Sequence, residues 1–138
     1  DKALELVQSS TERTAITYHK AKALLATGNN SQAQQLFEQL SADPRTAYGA
    51  ESDYMLSLML YNKGEYDAAE KNIMELIQSG TSHTYWLAHS FIVLADIYIA
   101  QGKTIEARQY LLSLQRNYNT KGDDIPEMIN DRLNKLEE

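Results

Sequence analysis

Three glycines recur along the chain at a nearly constant interval, and this interval restricts the possible folds more than any other feature. Gly28, Gly64 and Gly102 are 36 and 38 residues apart. Self-similarity at a period of this length is the signature of a repeat architecture, in which each unit packs on its neighbours.

The residues around the three glycines agree in character at five further positions. Counting from each glycine, a small residue stands seven before, a large residue four before, an alanine five after, a large apolar residue nine after and a leucine twelve after. Agreement at five positions in three registers predicts three equivalent units. Position by position, the matched residues are Ala21, Ser57 and Ala95; Leu24, Leu60 and Tyr98; Ala33, Ala69 and Ala107; Phe37, Ile73 and Leu111; and Leu40, Leu76 and Leu114.

Each unit has the pattern of a helical hairpin. A small residue on the first helix and an alanine on the second allow two antiparallel helices to approach closely, and the large residue fills the space beside them. The glycine is expected to end the first helix, because a left-handed backbone conformation costs glycine least. We expect a capping box between Ser31 and Gln34. The expected capping residues of the second helices are Asn30 or Ser31, Asp67 and Thr104.

The composition supports an all-helical domain. The 138 residues include only 2 Pro and 6 Gly, and 43% of them are apolar, which is enough for a buried core. The chain has no cysteine, which excludes disulfides and thiolate metal sites. The longest apolar stretch, Phe91 to Ala100, contains Asp96 and is shorter than the ~18 residues of a membrane span. We therefore expect no membrane insertion.

The repeat pattern resembles that of the tetratricopeptide repeat (TPR) family over about residues 12–118. Thr17 and Asp53 depart from the family pattern, which has large apolar residues there, whereas Phe91 fits it. The resemblance implies an all-α fold, namely a right-handed α-solenoid of about three helix–turn–helix repeats with a C-terminal capping helix.

The capping helix has its own sequence signals within what we expect to be a single domain. Pro126 suits the first turn of a helix, and Ile129, Leu133 and Leu136 form one apolar stripe. The expected divisions are a remnant or lead-in helix at residues 1–10, repeats at 12–44, 45–81 and 82–118, and the capping helix at 124–138.

The net charge argues against two classes of partner. The chain carries a formal charge of −6 and has a pI near 5. A basic patch that displaces counterions from nucleic acid is therefore not expected, and an anionic membrane surface is equally unfavourable. The acidity mildly favours basic or neutral ligands.

No sequence pattern for catalysis is present. The chain has three histidines, and His83 and His89 are six residues apart, so they do not share a helix face as a metal-binding pair would. No zinc-protease, phosphate-loop or nucleophile-elbow motif occurs. We therefore expect neither an enzyme nor a bound metal or cofactor.

The TPR resemblance implies that the first helices line a concave groove that binds an extended peptide or a partner helix. Tyrosine suits such a surface because it combines a large contact area with a polar tip, although Tyr18, Tyr54 and Tyr61 have packing between neighbouring first helices as an alternative role. Asp96 is either a receptor for a ligand's basic group or N–H, or it belongs to an inter-helix hydrogen bond or a solvated groove wall. The groove residues carried over by repeat position are Tyr18, Lys22, Glu51, Tyr54, Leu58, Tyr61, His89, Ile92 and Asp96.

One activity found in the family does not fit this chain. Co-chaperone TPR domains bind a C-terminal carboxylate through a clamp of Lys, Asn and Arg side chains. At the matching positions the required residue types are missing, and only Lys22 offers a single positive charge. The matching residues are Tyr18, Lys22, Met55, His89 and Val93.

The function that the resemblance implies is a non-catalytic protein- or peptide-binding scaffold. Two alternatives stay open. The first alternative is a self-assembly module that forms a homo-oligomer, for which the apolar stripe of Leu4, Leu6 and Val7 is suited. The second alternative is an accessory array of a larger protein whose activity lies upstream.

The compartment is not determined by these residues. The runs 85–88, 90–91 and 94–98 resemble long bacterial TPR proteins of the cell envelope, which implies a bacterial envelope or periplasmic location. The absence of cysteine fits a bacterial protein of any compartment, so the cytoplasm stays open. Because the chain starts at Asp1 without an initiator methionine, we expect a longer precursor.

Overall fold

The computed structural model describes residues 2–43, 46–120 and 122–137, with side chains from residue 12 onward. These residues contain seven α-helices and no strand, which confirms the expected all-α fold. The end of the first expected repeat, at residue 44, lies outside them. The helices are α1 (Lys2–Ala26), α2 (Asn30–Leu40), α3 (Ala47–Asn62), α4 (Tyr66–Gln78), α5 (Thr84–Ala100), α6 (Thr104–Asn117) and α7 (Ile125–Glu137).

The three repeat glycines end α1, α3 and α5 in the same way. Gly28, Gly64 and Gly102 have φ values of 83°, 78° and 78°, in the left-handed region. Each glycine N–H donates to the carbonyl three residues earlier, and the next N–H donates to the carbonyl five residues earlier, as in Asn29 N to Leu24 O at 2.8 Å. This pair of bonds is the Schellman motif, which satisfies the last carbonyls of a helix.

The second helices begin earlier than their expected capping residues. The carbonyl of the residue after each glycine already accepts the first helical hydrogen bond, as in Ala33 N to Asn29 O at 3.0 Å. The expected caps Asn30, Asp67 and Thr104 therefore lie inside the first turn, and the cap positions have no side-chain hydrogen bond. The capping box is also wrong, because the Gln34 amide donates to Glu38 instead, at 3.2 Å.

The helices pack as three hairpins and a final single helix. The hairpins are α1–α2, α3–α4 and α5–α6. We call α1, α3 and α5 the first helices, and α2, α4 and α6 the second helices. Each later first helix packs on both helices of the preceding hairpin, and α7 packs on α5 and α6 in the same manner. The arrangement is therefore repeat-like, since each unit contacts mainly its neighbour.

The small residues matched across the repeats lie where the helices touch. They are all buried, and this allows the close approach of the two helices in each hairpin. They are Ala21, Ser57 and Ala95 on the first helices and Ala33, Ala69 and Ala107 on the second helices.

The N-terminal region differs from the expected division at residue 10. Residues 2–26 form one continuous helix, so the expected break between a lead-in helix and the first repeat is absent there. No glycine or proline occurs within residues 2–26, so nothing in the backbone chemistry ends a helix at that point. The side chains of Leu4, Leu6 and Val7 are outside the described part of the chain.

Helix α7 packs against the third hairpin. The Asp123 side chain accepts a hydrogen bond from the Ile125 N–H at 3.0 Å and so starts the helix. Ile125 and Ile129 are buried against residues of α5 and α6, including Ile92. The opposite face of α7 is exposed to solvent.

One position that departs from the TPR pattern is part of a buried polar cluster in the second hairpin. Asn72 of α4 donates to the carboxylate of Asp53 on α3 and, at 3.0 Å, to the Ser57 hydroxyl. Burial raises the pKa of Asp53 from 3.8 to about 6, and the hydrogen bond from Asn72 opposes that rise only in part. A polar contact thus joins the two helices at a position where the TPR pattern has a large apolar residue.

Among the described residues, no helix combines the length and the apolar character that are needed to cross a membrane.

Candidate functional site

All nine expected groove residues lie on first helices, but they differ in how far they are exposed. Lys22 is exposed, and Glu51, Tyr54, Leu58, Tyr61 and Asp96 are half-buried. Tyr18, His89 and Ile92 are buried, with exposed fractions of 8%, 6% and 1%. Ile92 is a core residue packed near Ile125 and Ile129, so its side chain is not available to a ligand.

Tyr18 belongs to an aromatic pair between α1 and α3. Its ring centroid is 4.8 Å from that of Tyr48. The ammonium group of Lys22, one turn further along α1, lies 5.8 Å from the Tyr18 ring centroid. For Tyr18, packing between neighbouring first helices is therefore the interpretation that the structure favours.

A second aromatic pair occupies the same repeat positions between α3 and α5. Tyr54 stands ten residues before Gly64, as Tyr18 does before Gly28. Its ring stacks on Trp86 at 5.6 Å between centroids, with 28° between the planes. Trp86 stands sixteen residues before Gly102, which is the position of Tyr48 relative to Gly64.

The second pair is part of a larger group that we call the aromatic cluster, namely Tyr54, Tyr85, Trp86 and His89. The His89 ring lies 5.0 Å from Tyr54 and 4.7 Å from Tyr85, between ring centroids. Tyr85 and Trp86 meet edge to face at 4.8 Å. The sequence interpretation missed Tyr85 and Trp86, because the repeat comparison stopped thirteen residues before each glycine. The signal for Trp86 was its repeat equivalence to Tyr48.

Two carboxylates lie beside the aromatic cluster. Glu51 is half-buried one turn before Tyr54, and burial raises the pKa of its carboxyl group. It forms no hydrogen bond or ion pair with another described residue. Asp124, in the connection to α7, is half-exposed and accepts a hydrogen bond from the Tyr85 hydroxyl at 2.8 Å.

Most of the charged groups that act on the Tyr54 hydroxyl are negative. Burial raises the pKa of Tyr54 most, and the charges of Asp124, Glu51 and Asp96 raise it further. Among these causes, only Arg132 lowers it. An added positive charge would be favoured at this place, since it would meet several carboxylates at once.

His89 does not neutralise Asp124 at pH 7. Its Nε2 lies 3.4 Å from the Asp124 carboxylate, but burial lowers the pKa of the imidazole below 6.5 in spite of that charge. The neutral ring directs Nε2 at Asp124, and its Nδ1 is buried without a hydrogen-bond partner in the described part of the chain. His89 therefore adds no positive charge next to the Asp124 carboxylate at pH 7.

Asp96 is occupied by a partner within the chain. The Arg132 guanidinium of α7 donates to both carboxylate oxygens of Asp96, at 2.7 Å and 3.0 Å. It also donates to the Met128 carbonyl at 3.1 Å. The structure thus favours the inter-helix hydrogen bond over a free receptor for a ligand, because both oxygens already have a charged donor.

The remaining expected residues form a strip on α3. Glu51, Tyr54, Leu58 and Tyr61 recur at spacings of three and four residues, so they share one face of the helix. Tyr61 also contacts the Tyr66 ring of its own hairpin at 5.7 Å.

Comparison with known proteins adds no assignment. Neither a scan against protein-family models nor a search of curated proteins returns a match to this chain. Within the described residues, no three His, Asp or Glu side chains converge in a way that would hold a metal ion.

Proposed function

We propose that this chain is a non-catalytic scaffold of tetratricopeptide-like repeats, arranged as a right-handed α-solenoid, that binds a protein or peptide on the face of its first helices. Stacked hairpins in which each first helix packs on the preceding one are what such a solenoid requires. The observation that carries the proposal is the aromatic cluster on α3 and α5, whose Tyr54, Tyr85 and Trp86 side chains are half-buried beside the carboxylate of Glu51.

The position of the cluster supports a ligand-binding role. Helix α3 contacts α1, α2, α4 and α5, so little of its surface stays accessible to a ligand. The accessible part includes Glu51, Tyr54, Leu58 and Tyr61, which share one face and are all half-buried. Half-buried aromatic side chains supply much contact area for a small loss of conformational entropy on binding.

A peptide selection tests this proposal directly. A displayed library of random peptides is selected on the wild-type protein, and the affinities of the enriched peptides are measured by fluorescence anisotropy. We expect the Glu51→Gln, Tyr54→Ala double variant to bind them about tenfold more weakly or worse, because it removes the centre of the surface.

The matched control places two changes on exposed apolar residues of the second helices. Met74→Ala with Leu112→Ala should leave peptide affinity unchanged, and circular dichroism should show that both variants are folded. Failure to enrich any peptide, or equal binding by both variants, would reject the first-helix face as the site.

Self-assembly remains a second candidate because of a separate apolar surface. Ile105 and Leu112 of α6 are 71% and 40% exposed and lie seven residues apart, hence on one helix face. Leu136 of α7 lines the same surface depression. Sedimentation velocity over a wide concentration range tests it: association that Ile105→Lys abolishes supports this candidate, and a monomer throughout rejects it.

A further inference from the structure

The two aromatic pairs between first helices differ in whether they already hold a cation. Lys22 stands six residues before Gly28, and its ammonium group lies over the Tyr18 ring. The equivalent position in the next repeat, six residues before Gly64, is Leu58. The second pair therefore has an aliphatic side chain at the position from which a lysine covers the first pair.

No other cation of the described chain takes that place. The lysines that lie over aromatic rings there are Lys22, over Tyr18, and Lys103, over Tyr98. Arg132 is the cation that influences Tyr54, but its guanidinium donates to both oxygens of Asp96. The faces of the second pair are thus without the positive charge that aromatic faces attract.

A positive charge would stabilise the carboxylates beside the second pair. Glu51 has lost part of its hydration without gaining an ion pair or hydrogen bond among the described residues. A partly desolvated charge without a partner is unfavourable, and a cation that arrives from outside would relieve that cost. Asp124 adds a second negative charge, which the Tyr85 hydroxyl orients and His89 leaves in place.

We infer that the Tyr54–Trp86 pair, with Glu51 and Asp124, is the subsite for a cationic side chain, Lys or Arg, of the bound peptide. The inference rests on the proposed function, since it names the ligand chemistry of the same surface. The cation contacts the accessible part of the half-buried aromatic rings, as Lys22 contacts Tyr18, and it also pairs with the carboxylates. The net charge of −6 also attracts a basic peptide from a distance.

Trp86 is the only tryptophan of the chain, so its signals report on this subsite alone. The probes are the N-acetyl amides of arginine and lysine, and their neutral counterparts are the N-acetyl amides of citrulline and norleucine. We expect saturable changes in Trp86 fluorescence and in its indole N–H resonance with the cationic probes only. Comparison of arginine with lysine shows which cation the subsite prefers.

Two variants and two controls place the effect at the subsite. Glu51→Gln should weaken binding of the cationic probes by roughly tenfold, because it removes the unpaired charge. Leu58→Lys gives the second pair the internal cation that the first pair has and should abolish the response, whereas Met74→Lys, which adds the same charge at an exposed position of α4, should bind as wild type. If Leu58→Lys does not fold, the Glu51→Gln result decides alone. Lys20→Met, at an exposed position of α1 outside the expected groove, should leave the Trp86 response unchanged.

The outcomes separate this inference from the proposed function. Equal responses to cationic and neutral probes, or no response to any, would overturn the cation subsite. So would selected peptides that bind the first-helix face but keep their affinity when Lys and Arg are replaced by norleucine and citrulline, although the scaffold function would then stand. A saturable, Glu51-dependent response without any peptide binding would support the subsite and reject the scaffold function.

Discussion

The junction between α1 and α3 and the junction between α3 and α5 place an aromatic pair at the same repeat positions but in different surroundings. In the first pair Tyr18 is buried, Tyr48 is half-buried and Lys22 lies over the Tyr18 ring. In the second pair Tyr54 and Trp86 are both half-buried, are joined by Tyr85 and His89, and lie beside Glu51 and Asp124. The repeat sets which residues meet, and the substitutions at the neighbouring positions set the charge around them.

The junction between α5 and α7 extends this comparison. Ile92 takes the position of Tyr18 and Tyr54, and it packs in the core near Ile125 and Ile129 of α7. At this junction α7 covers the residue on α5 that is equivalent to the half-buried Tyr54 on α3. We call the contacts at the three junctions the covered pair (Tyr18 and Tyr48), the open pair (Tyr54 and Trp86) and the apolar closure (Ile92 with Ile125 and Ile129).

The largest expected effect concerns the apolar closure. Ile129→Ala should lower the free energy of unfolding by about 2–4 kcal/mol, because it leaves a cavity between α7 and α5. Urea unfolding followed by circular dichroism measures it. The exposed Asn134→Ala on the same helix should change stability by less than about 0.5 kcal/mol. Equal effects of the two variants would show that α7 does not close the array in this way.

The buried polar cluster of the second hairpin should make stability depend on pH. The folded pKa of Asp53, about 6, is above its usual value of 3.8, so the folded state binds the proton more tightly. The contribution of Asp53 to the free energy of unfolding is fully present below pH 4 and is lost as the pH rises through 6. The total change is about 3 kcal/mol. Unfolding midpoints of Asp53→Asn should lack this dependence, and they should exceed those of wild type at pH 7.

His89 serves as the internal contrast to Asp53. Because burial lowers its pKa, its contribution to stability is present above pH 6.5 and is lost as pH falls below that value. The two groups therefore act in opposite directions within the same pH range. Unfolding of His89→Gln should show the Asp53 dependence more steeply than wild type, and a shallower profile would mean that the imidazole is not buried in its neutral form.

The repeat equivalence of the junctions can be tested through the glycines. Gly64→Ala and Gly102→Ala should each lower the free energy of unfolding by about 1 kcal/mol, because alanine disfavours φ near 78°. A Cβ atom at either position would meet no other atom within 4 Å, so the backbone cost is the whole effect. Clearly unequal values from thermal unfolding would show that the two turns are not equivalent.

The smallest expected effect concerns the covered pair. Lys22→Met should lower the free energy of unfolding by about 0.5 kcal/mol, since the cation over Tyr18 is exposed to solvent. Lys20→Met is the control for loss of a positive charge, because Lys20 is exposed on the same helix and does not lie over an aromatic ring of the described residues. An equal change in both would assign the effect to net charge and not to the aromatic face.

The sequence was sufficient for the hairpins but only partly for the site. A glycine ends a helix through its local backbone conformation, and a small residue lets two helices touch through its size. The roles of Gly64 and Ala69 could therefore be predicted from the sequence alone. Tyr54 was found by repeat position, and Trp86 was missed although the same rule applied sixteen residues before Gly102. Arg132 had no such signal, because its contact with Asp96 spans 36 residues and a connection without repeat equivalence.

The sequence by itself determined the helical units, because periodic glycines, alanines and leucines prescribe the same local turn and the same close contact in each unit. Only the tertiary structure decided which aromatic pair is covered and which carboxylate is unpaired. Those properties depend on what each neighbouring helix places within a few ångströms, as Arg132 does for Asp96 and Lys22 does for Tyr18. Burial and charge pairing arise between helices, and the repeat pattern specifies neither.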